Sequence, residues 1–241
     1  MFVQLGRLFL KMYKKITHTI VEHHYDHPMA LEMLANTHVV DNSKIKSTLS
    51  VMPADQFAQN IFDLFNSYMT HMRNYLISTL NSAPDQAYTA ELVNSDIINI
   101  SDVANSYFDK NSTQVLGGLF GSSVQNLHNV ATALRAGQDI SKFQSDYASM
   151  VSLFSQKLHT LDPTYWPAST IEQIFTDLNA SWLTQMQARL KQDWTADSSA
   201  LTVANSLVLN GYVTNGQTGL SPGLAEIFAN GIIKQFPANF T

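Results

Sequence analysis

Apolar residues recur every third or fourth position along almost the whole chain, and this rhythm restricts the fold more than any other property of the sequence. A helix brings residues three and four apart onto one face, whereas a strand alternates every second residue. The series Phe57, Ile61, Phe65, Tyr68, Met72, Leu76 and Leu80 predicts a long amphipathic helix. It opens at Pro53, a good first-turn residue, and stops at the run Asn81 to Pro84. Phe2, Leu5, Phe9, Met12, Ile16 and Ile20 predict a first helix that ends near Pro28. Short helices are expected after Pro28 and from Asp41-Asn42-Ser43. Two more are expected from Pro84 towards Val93 and from the cap-like Ser101-Asp102.

Leu116 to Leu134 predicts another helix, ended by Gly137, and Ile140 to Leu158 the next. A loop with two prolines and two aromatics follows over 161–167. Ser169 and Glu172 match a capping box ahead of Ile171, Phe175, Leu178, Trp182, Met186 and Leu190. A helix through Leu201, Ala204 and Val208, a loop from Asn210 to Gly219, and a last helix from Ser221-Pro222 to Pro237 complete the chain. The fold class is all-α, an antiparallel helical bundle, since no Val-rich piece is long enough to outweigh the helical segments.

The chain also resembles itself. Residues 63–75 (DLFNSYMTHMRNY) align without gaps on 118–130 (GLFGSSVQNLHNV), pairing Leu64, Phe65, Ser67 and Asn74 with Leu119, Phe120, Ser122 and Asn129. Upstream, Leu34 to Asn36 pairs with Leu92 to Asn94, and Val39-Val40 with Ile97-Ile98. The two shifts give an internal repeat of about 55–58 residues, with units near 5–65 and 63–120 followed by C-terminal helices. Such a unit cannot bury its apolar stripe alone and must stack on its neighbour. No Pro/Gly/Ser linker interrupts the chain, so 1–241 is expected to be a single helical domain.

Composition removes several classes of function. With no Cys, disulfides, thiol nucleophiles, Cys-ligated zinc and iron–sulfur clusters are excluded. Charged residues are only 14% and the formal net charge is -5, which gives no general attraction to nucleic acid or to an anionic membrane. No apolar run reaches a transmembrane length. The segment from Met1 to Ile16 is interrupted by Arg7, Lys11, Lys14 and Lys15, so it is read as part of the fold and not as a secretory signal. A cytoplasmic location is expected, although a cysteine-free chain folds equally well outside a cell. The basic face of that first helix could meet a membrane surface or a partner, with a solvated face as the default.

Arg73, residues 92–97 (LVNSDI), Asp162 to Trp166 and the closing segment 230–240 (NGIIKQFPANF) together resemble a family of helical Firmicutes proteins of unassigned function. The resemblance spans roughly 65–240 and implies an all-helical fold. Some members are labelled glycosyltransferases. This sequence has no Asp-x-Asp pair for a metal–nucleotide and no βαβ pattern to cradle a sugar nucleotide. Family members often carry His near the positions aligned with Ser122 and Trp182, which this chain lacks.

Glu22-His23-His24-Tyr25-Asp26-His27 is the richest cluster of potential ligands. On a helix His23 and His27 lie one turn apart and could chelate a transition metal, with Glu22 or Asp26 completing the set. The alternative is a helix-terminal cluster that satisfies carbonyls near the negative end of the dipole. Pro28 biases His27 away from helical angles, and no Glu-x-x-His motif or second His pair completes a bundle site. His71, His128 and His159 read as residues at stripe edges, and Arg73 as a surface charge in preference to a buried carboxylate anchor. Tyr165-Trp166-Pro167, with Trp182 and Trp194, could line an aromatic platform, though such loop aromatics usually pin a loop to the core. No phosphate loop occurs around Gly211 to Gly219 and no Gly-x-Ser-x-Gly elbow occurs anywhere.

The reading that follows is a non-enzymatic helical binding or interaction protein with no cofactor and no assigned catalytic residue. Its partner would be a protein, a small molecule or a second copy of itself. The alternative is a metal-binding protein or metal-dependent enzyme built on His23 and His27. Replacing both histidines with Gln is expected to leave the metal content of untagged protein unchanged. Stoichiometric zinc, iron or manganese that disappears in the double variant would decide for the metal reading.

Overall fold

The computed structural model describes residues 52–211 and 221–241. Among these, seven α-helices pack around a shared apolar core, and the fold is an all-α bundle. They are α1 (Ala54–Asn81), α2 (Gln86–Tyr107), α3 (Lys110–Arg135), α4 (Ser141–Leu161), α5 (Ala168–Leu190), α6 (Trp194–Asn205) and α7 (Leu224–Gln235). α6 runs on as a π-helical turn, Ser206–Asn210, and a 3-10 turn, Pro237–Asn239, follows α7. The segment with His23, His27 and Glu22, and the first repeat unit, lie mostly outside the described residues.

α1 is central. It packs on α2, α3, α5 and α7 and buries Phe57, Ile61, Phe65, Tyr68, Met69, Met72, Tyr75, Leu76 and Leu80. Its C-terminus closes in the left-handed conformation at Ser82 (φ 50°), where the Ser82 and Ala83 N–H groups return to the carbonyls of Thr79 and Ser78. At its other end Met52 forms a single parallel bridge with Phe240. This brings the closing residues onto α1 and sets Phe240 against Phe57 and Tyr107.

Three elements differ from the sequence reading. The two short helices expected between Pro84 and the next long one are a single helix, α2. No Gly or Pro interrupts it, and Val93, Ile97, Ile100 and Ala104 keep one apolar face in phase through Ser101-Asp102. The capping box at Ser169 does not form. Pro167 has φ -61° and its carbonyl already receives Thr170 N–H and Ile171 N–H, so the helix begins at Ala168 with Ser169 inside its first turn. The last helix starts at Leu224, after Ser221-Pro222-Gly223, and ends before Pro237 as expected. By contrast, Asp109 caps α3 by accepting from Asn111 N–H (3.1 Å) and Ser112 N–H (3.0 Å).

The loop between α4 and α5 is fastened by Trp166. Its indole is fully buried, lies parallel to the Phe228 ring, and donates from Nε1 to the Ile227 carbonyl at 3.0 Å. Gly231 makes this approach possible, since a Cβ there would fall 2.1 Å from the same nitrogen. Asp162 holds the loop from below by accepting from Thr164 N–H and Tyr165 N–H.

The repeat alignment brings together equivalent burial. Shifting α1 by 55 residues places Ile61, Phe65, Met69, Met72, Tyr75 and Leu76 on Leu116, Phe120, Val124, Leu127, Val130 and Ala131, all buried. Phe65→Ala and Phe120→Ala are each expected to cost about 3–5 kcal/mol, read from chemical denaturation. Near-neutral values at both would break the equivalence of the two helices.

Candidate functional site

Three places in the described residues carry polar chemistry or open space, and α1 contributes to all of them. The first joins α1 to α2. Ser67 Oγ donates to Asp96 Oδ1 at 2.9 Å, and His71 Nδ1 lies 2.6 Å from Asp96 Oδ2. Asp96 is buried and His71 is about a quarter exposed. Serine, histidine and aspartate in contact invite comparison with a nucleophile relay, but that chemistry needs the serine on one ring nitrogen and the carboxylate on the other. Here Ser67 Oγ is 3.4 Å from the same Nδ1 that already faces Asp96. The serine hydrogen goes to the carboxylate, so the trio is a clamp between two helices.

The second place corrects the reading of Arg73 as a surface charge. Its guanidinium grips Asp197 of α6 through Nη1 (3.1 Å) and Nη2 (2.8 Å), and also bonds Gln185 Oε1 of α5. Arg189 adds Nε to Oδ1 at 3.2 Å and Nη2 to Oδ2 at 2.8 Å. Asp197 is 5% exposed in its side chain, against 19% for Arg73 and 23% for Arg189. A carboxylate so deeply buried is tolerable only when its lone pairs are filled, and two arginine forks do this. The signal for it was present in the sequence: Asp197 stands in helical phase with Ala200 and Ala204, on a face that is otherwise apolar.

Beside this cluster is a small pocket with room for about one water, lined by Arg73, Trp182, Gln185, Arg189 and apolar neighbours. Two of these lining residues carry buried N–H groups without a partner, Trp182 Nε1 and Gln185 Nε2.

The third place is an apolar cavity of about 40 Å³. Six helices supply its wall: Phe65 from α1, Ile100 and Ala104 from α2, Phe120 from α3, and further side chains from α4, α5 and α7. Ser101, Gly117 and Phe154 are half-buried and mark its open side, while the other lining residues are buried. Gly117 keeps α2 and α3 close, because a Cβ there would meet Ser101 Oγ at 2.9 Å.

The other two histidines among the described residues have structural partners. Tyr75 Oη and His128 Nδ1 share a hydrogen bond of 2.9 Å and their rings stack. Burial raises the Tyr75 hydroxyl to about 12, while burial and then the Arg135 charge lower His128 below its ordinary 6.5. Both shifts favour the neutral donor and neutral acceptor that this bond needs. His159 Nδ1 bonds the Trp166 carbonyl at 3.0 Å. The aromatic platform does not assemble among the described residues. Trp166 and Trp182 are buried, Trp194 is 59% exposed, and the ring contacts of Trp166 run to Phe108 and Phe228. No group of three metal-ligating side chains occurs among the described residues, and His23, His27 and Glu22 fall outside them.

Comparisons with family models, curated proteins and solved structures find no match for this chain.

Asp197→Ala leaves two guanidiniums facing each other in a buried setting and is expected to destabilise by about 3–5 kcal/mol. Adding Arg189→Met should recover part of that loss. A single variant within about 0.5 kcal/mol of wild type would show that water, not the ion pairs, supports Asp197.

Proposed function

We propose that this chain is a non-enzymatic helical binding protein that takes a small apolar molecule, or the apolar end of a larger one, into the cavity where α1, α2, α3, α4, α5 and α7 meet. The cavity carries the reading. Its room is roughly three times the minimum for one water, yet its wall is almost wholly hydrocarbon, and such a space does not hold water well. Thr113 is no polar anchor, because its hydroxyl is engaged with Asn105 and with the carbonyls of Asp109 and Lys110. Recognition would therefore rest on shape and on burial of apolar surface. The half-buried edge at Ser101, Gly117 and Phe154 is the point of entry. A non-enzymatic role is favoured because the serine–histidine–aspartate contact found among the described residues lacks relay geometry.

Benzene and hexanol serve as probes. Each is expected to raise the Tm of the full chain in a saturable manner, since a ligand that binds only the folded state stabilises it by mass action. Ala104→Leu extends a side chain into the cavity and should abolish the response without lowering the Tm of the free protein. A wild-type protein indifferent to both probes would overturn this reading.

A further inference from the structure

The pocket beside the arginine cluster has a property that the apolar cavity lacks: two of its lining residues, Trp182 and Gln185, carry buried N–H groups that no acceptor fills. Trp182 and Gln185 are 1% and 3% exposed, and their Nε1 and Nε2 groups have no partner. The orientation of the Gln185 amide is set by its neighbour. Oε1 accepts from Arg73, and the flipped amide would point an N–H at a guanidinium that can only donate. The unpartnered atom is therefore an N–H by necessity. Among the described residues two guanidiniums face a single carboxylate here, so this cluster carries an excess positive charge.

A water molecule fits this space poorly despite its size. It could accept from Trp182 and Gln185, but its own two hydrogens would need acceptors. Among the lining side chains the strong acceptor is Gln185 Oε1, which already holds Arg73. Asp197 is no substitute, because both of its oxygens accept from the two arginines. An anion has no hydrogens to place, and it balances the surplus charge. The rest of the wall, Leu76, Ile77, Leu80 and Met186, is apolar, which strengthens charge-assisted bonds.

We infer that the pocket between α1 and α5 is a binding site for one small monovalent anion of halide size, held by Trp182 Nε1 and Gln185 Nε2 next to Arg73 and Arg189. Its volume of about 10 Å³ suits a single ion of halide size better than phosphate or sulfate. The bound anion would tie α5 to α1 on the side where Arg73 already ties α1 to α6. Halide binding would thereby stiffen the junction of three helices.

The test uses the full chain in halide-free buffer, with sodium bromide replacing sodium gluconate at constant ionic strength. Wild type should show a saturable rise in Tm. In a Trp194→Phe background, which removes the exposed indole, bromide should also quench fluorescence along a saturating curve, because the heavy ion sits against Trp182. Trp182→Phe keeps the ring and removes the donor, and its bromide affinity should fall about tenfold or more. Gln185→Glu replaces the unpartnered N–H with an acceptor and cancels the surplus charge. It should be more stable than wild type in gluconate and insensitive to bromide. Strictly linear responses to bromide in wild type, in both Tm and quenching, would overturn the site, as would a saturable response that Gln185→Glu leaves intact.

Discussion

Burial of the α1 stripe is the requirement that the rest of the structure answers. At 100° per residue the apolar side chains from Phe57 to Leu80 cover an arc of roughly 140°, wider than one neighbouring helix can shield. α2, α3, α5 and α7 therefore all lie against α1, and the bundle is organised around it instead of around pairs of equal helices. The aromatic weight of the stripe adds to this. Phe57, Phe65 and Tyr68 meet Phe240, Phe228 and Phe120 from three different elements, so helices distant in sequence are drawn to the same core.

The margins of that stripe explain where the polar clusters sit. Ser67 and His71 fall on one edge and Arg73 on the other, where the next helix half covers them. A polar group in this position loses water and must find a protein partner. On one margin α2 supplies Asp96, and on the other α6 supplies Asp197 with Gln185 of α5 in support. The same geometry yields the two open spaces. Rigid phenyl rings from several helices converge at Phe65, Phe120, Phe175 and Phe228 and leave a void between them. At the Arg73 margin the guanidiniums bond Asp197, and Trp182 and Gln185, which line the small pocket there, keep N–H groups without a partner. Hydrocarbon lines the first space, whereas the second combines aliphatic side chains with two arginines and two residues that carry unpartnered N–H groups, so the two suit ligands of different character.

Much of the fold was legible from period alone. The limits of α1, the stop of α3 at Gly137 (φ 66°) and the equal burial of Phe65 and Phe120 follow from local rules of helix formation, whereas α3 starts at Lys110, six residues before its expected first residue. The apparent break in α2 was a misreading. A Ser-Asp pair caps a helix only when the chain before it is free to leave, and the apolar face running through Ile97, Ile100 and Ala104 keeps it helical. Arg73 was misjudged for a related reason. A lone charge at a stripe edge looks solvated until the opposing helix is known, and its partner lies 124 residues away. The visible clue was on the other side of the pair. Asp96 and Asp197 each occupy an apolar phase of their own helices, and an aspartate there demands a buried counterpart.

The sequence by itself determined which segments are helical and which face of each is apolar. Those properties depend on contacts within a few residues, namely the 3.6-residue period, proline, glycine and side-chain caps. It also fixed the chemical alphabet, which excludes thiol chemistry. Only the tertiary structure decided which helices meet, and the candidate sites depend on that choice. The pairing of Arg73 with Asp197 and Arg189, the shared nitrogen that disarms Ser67–His71–Asp96, and both pockets arise from side chains far apart in the chain. Amphipathic periodicity tells each helix what to bury but carries no address for the surface that buries it, because the hydrophobic effect is non-directional. The address comes from joint packing of all the faces at once.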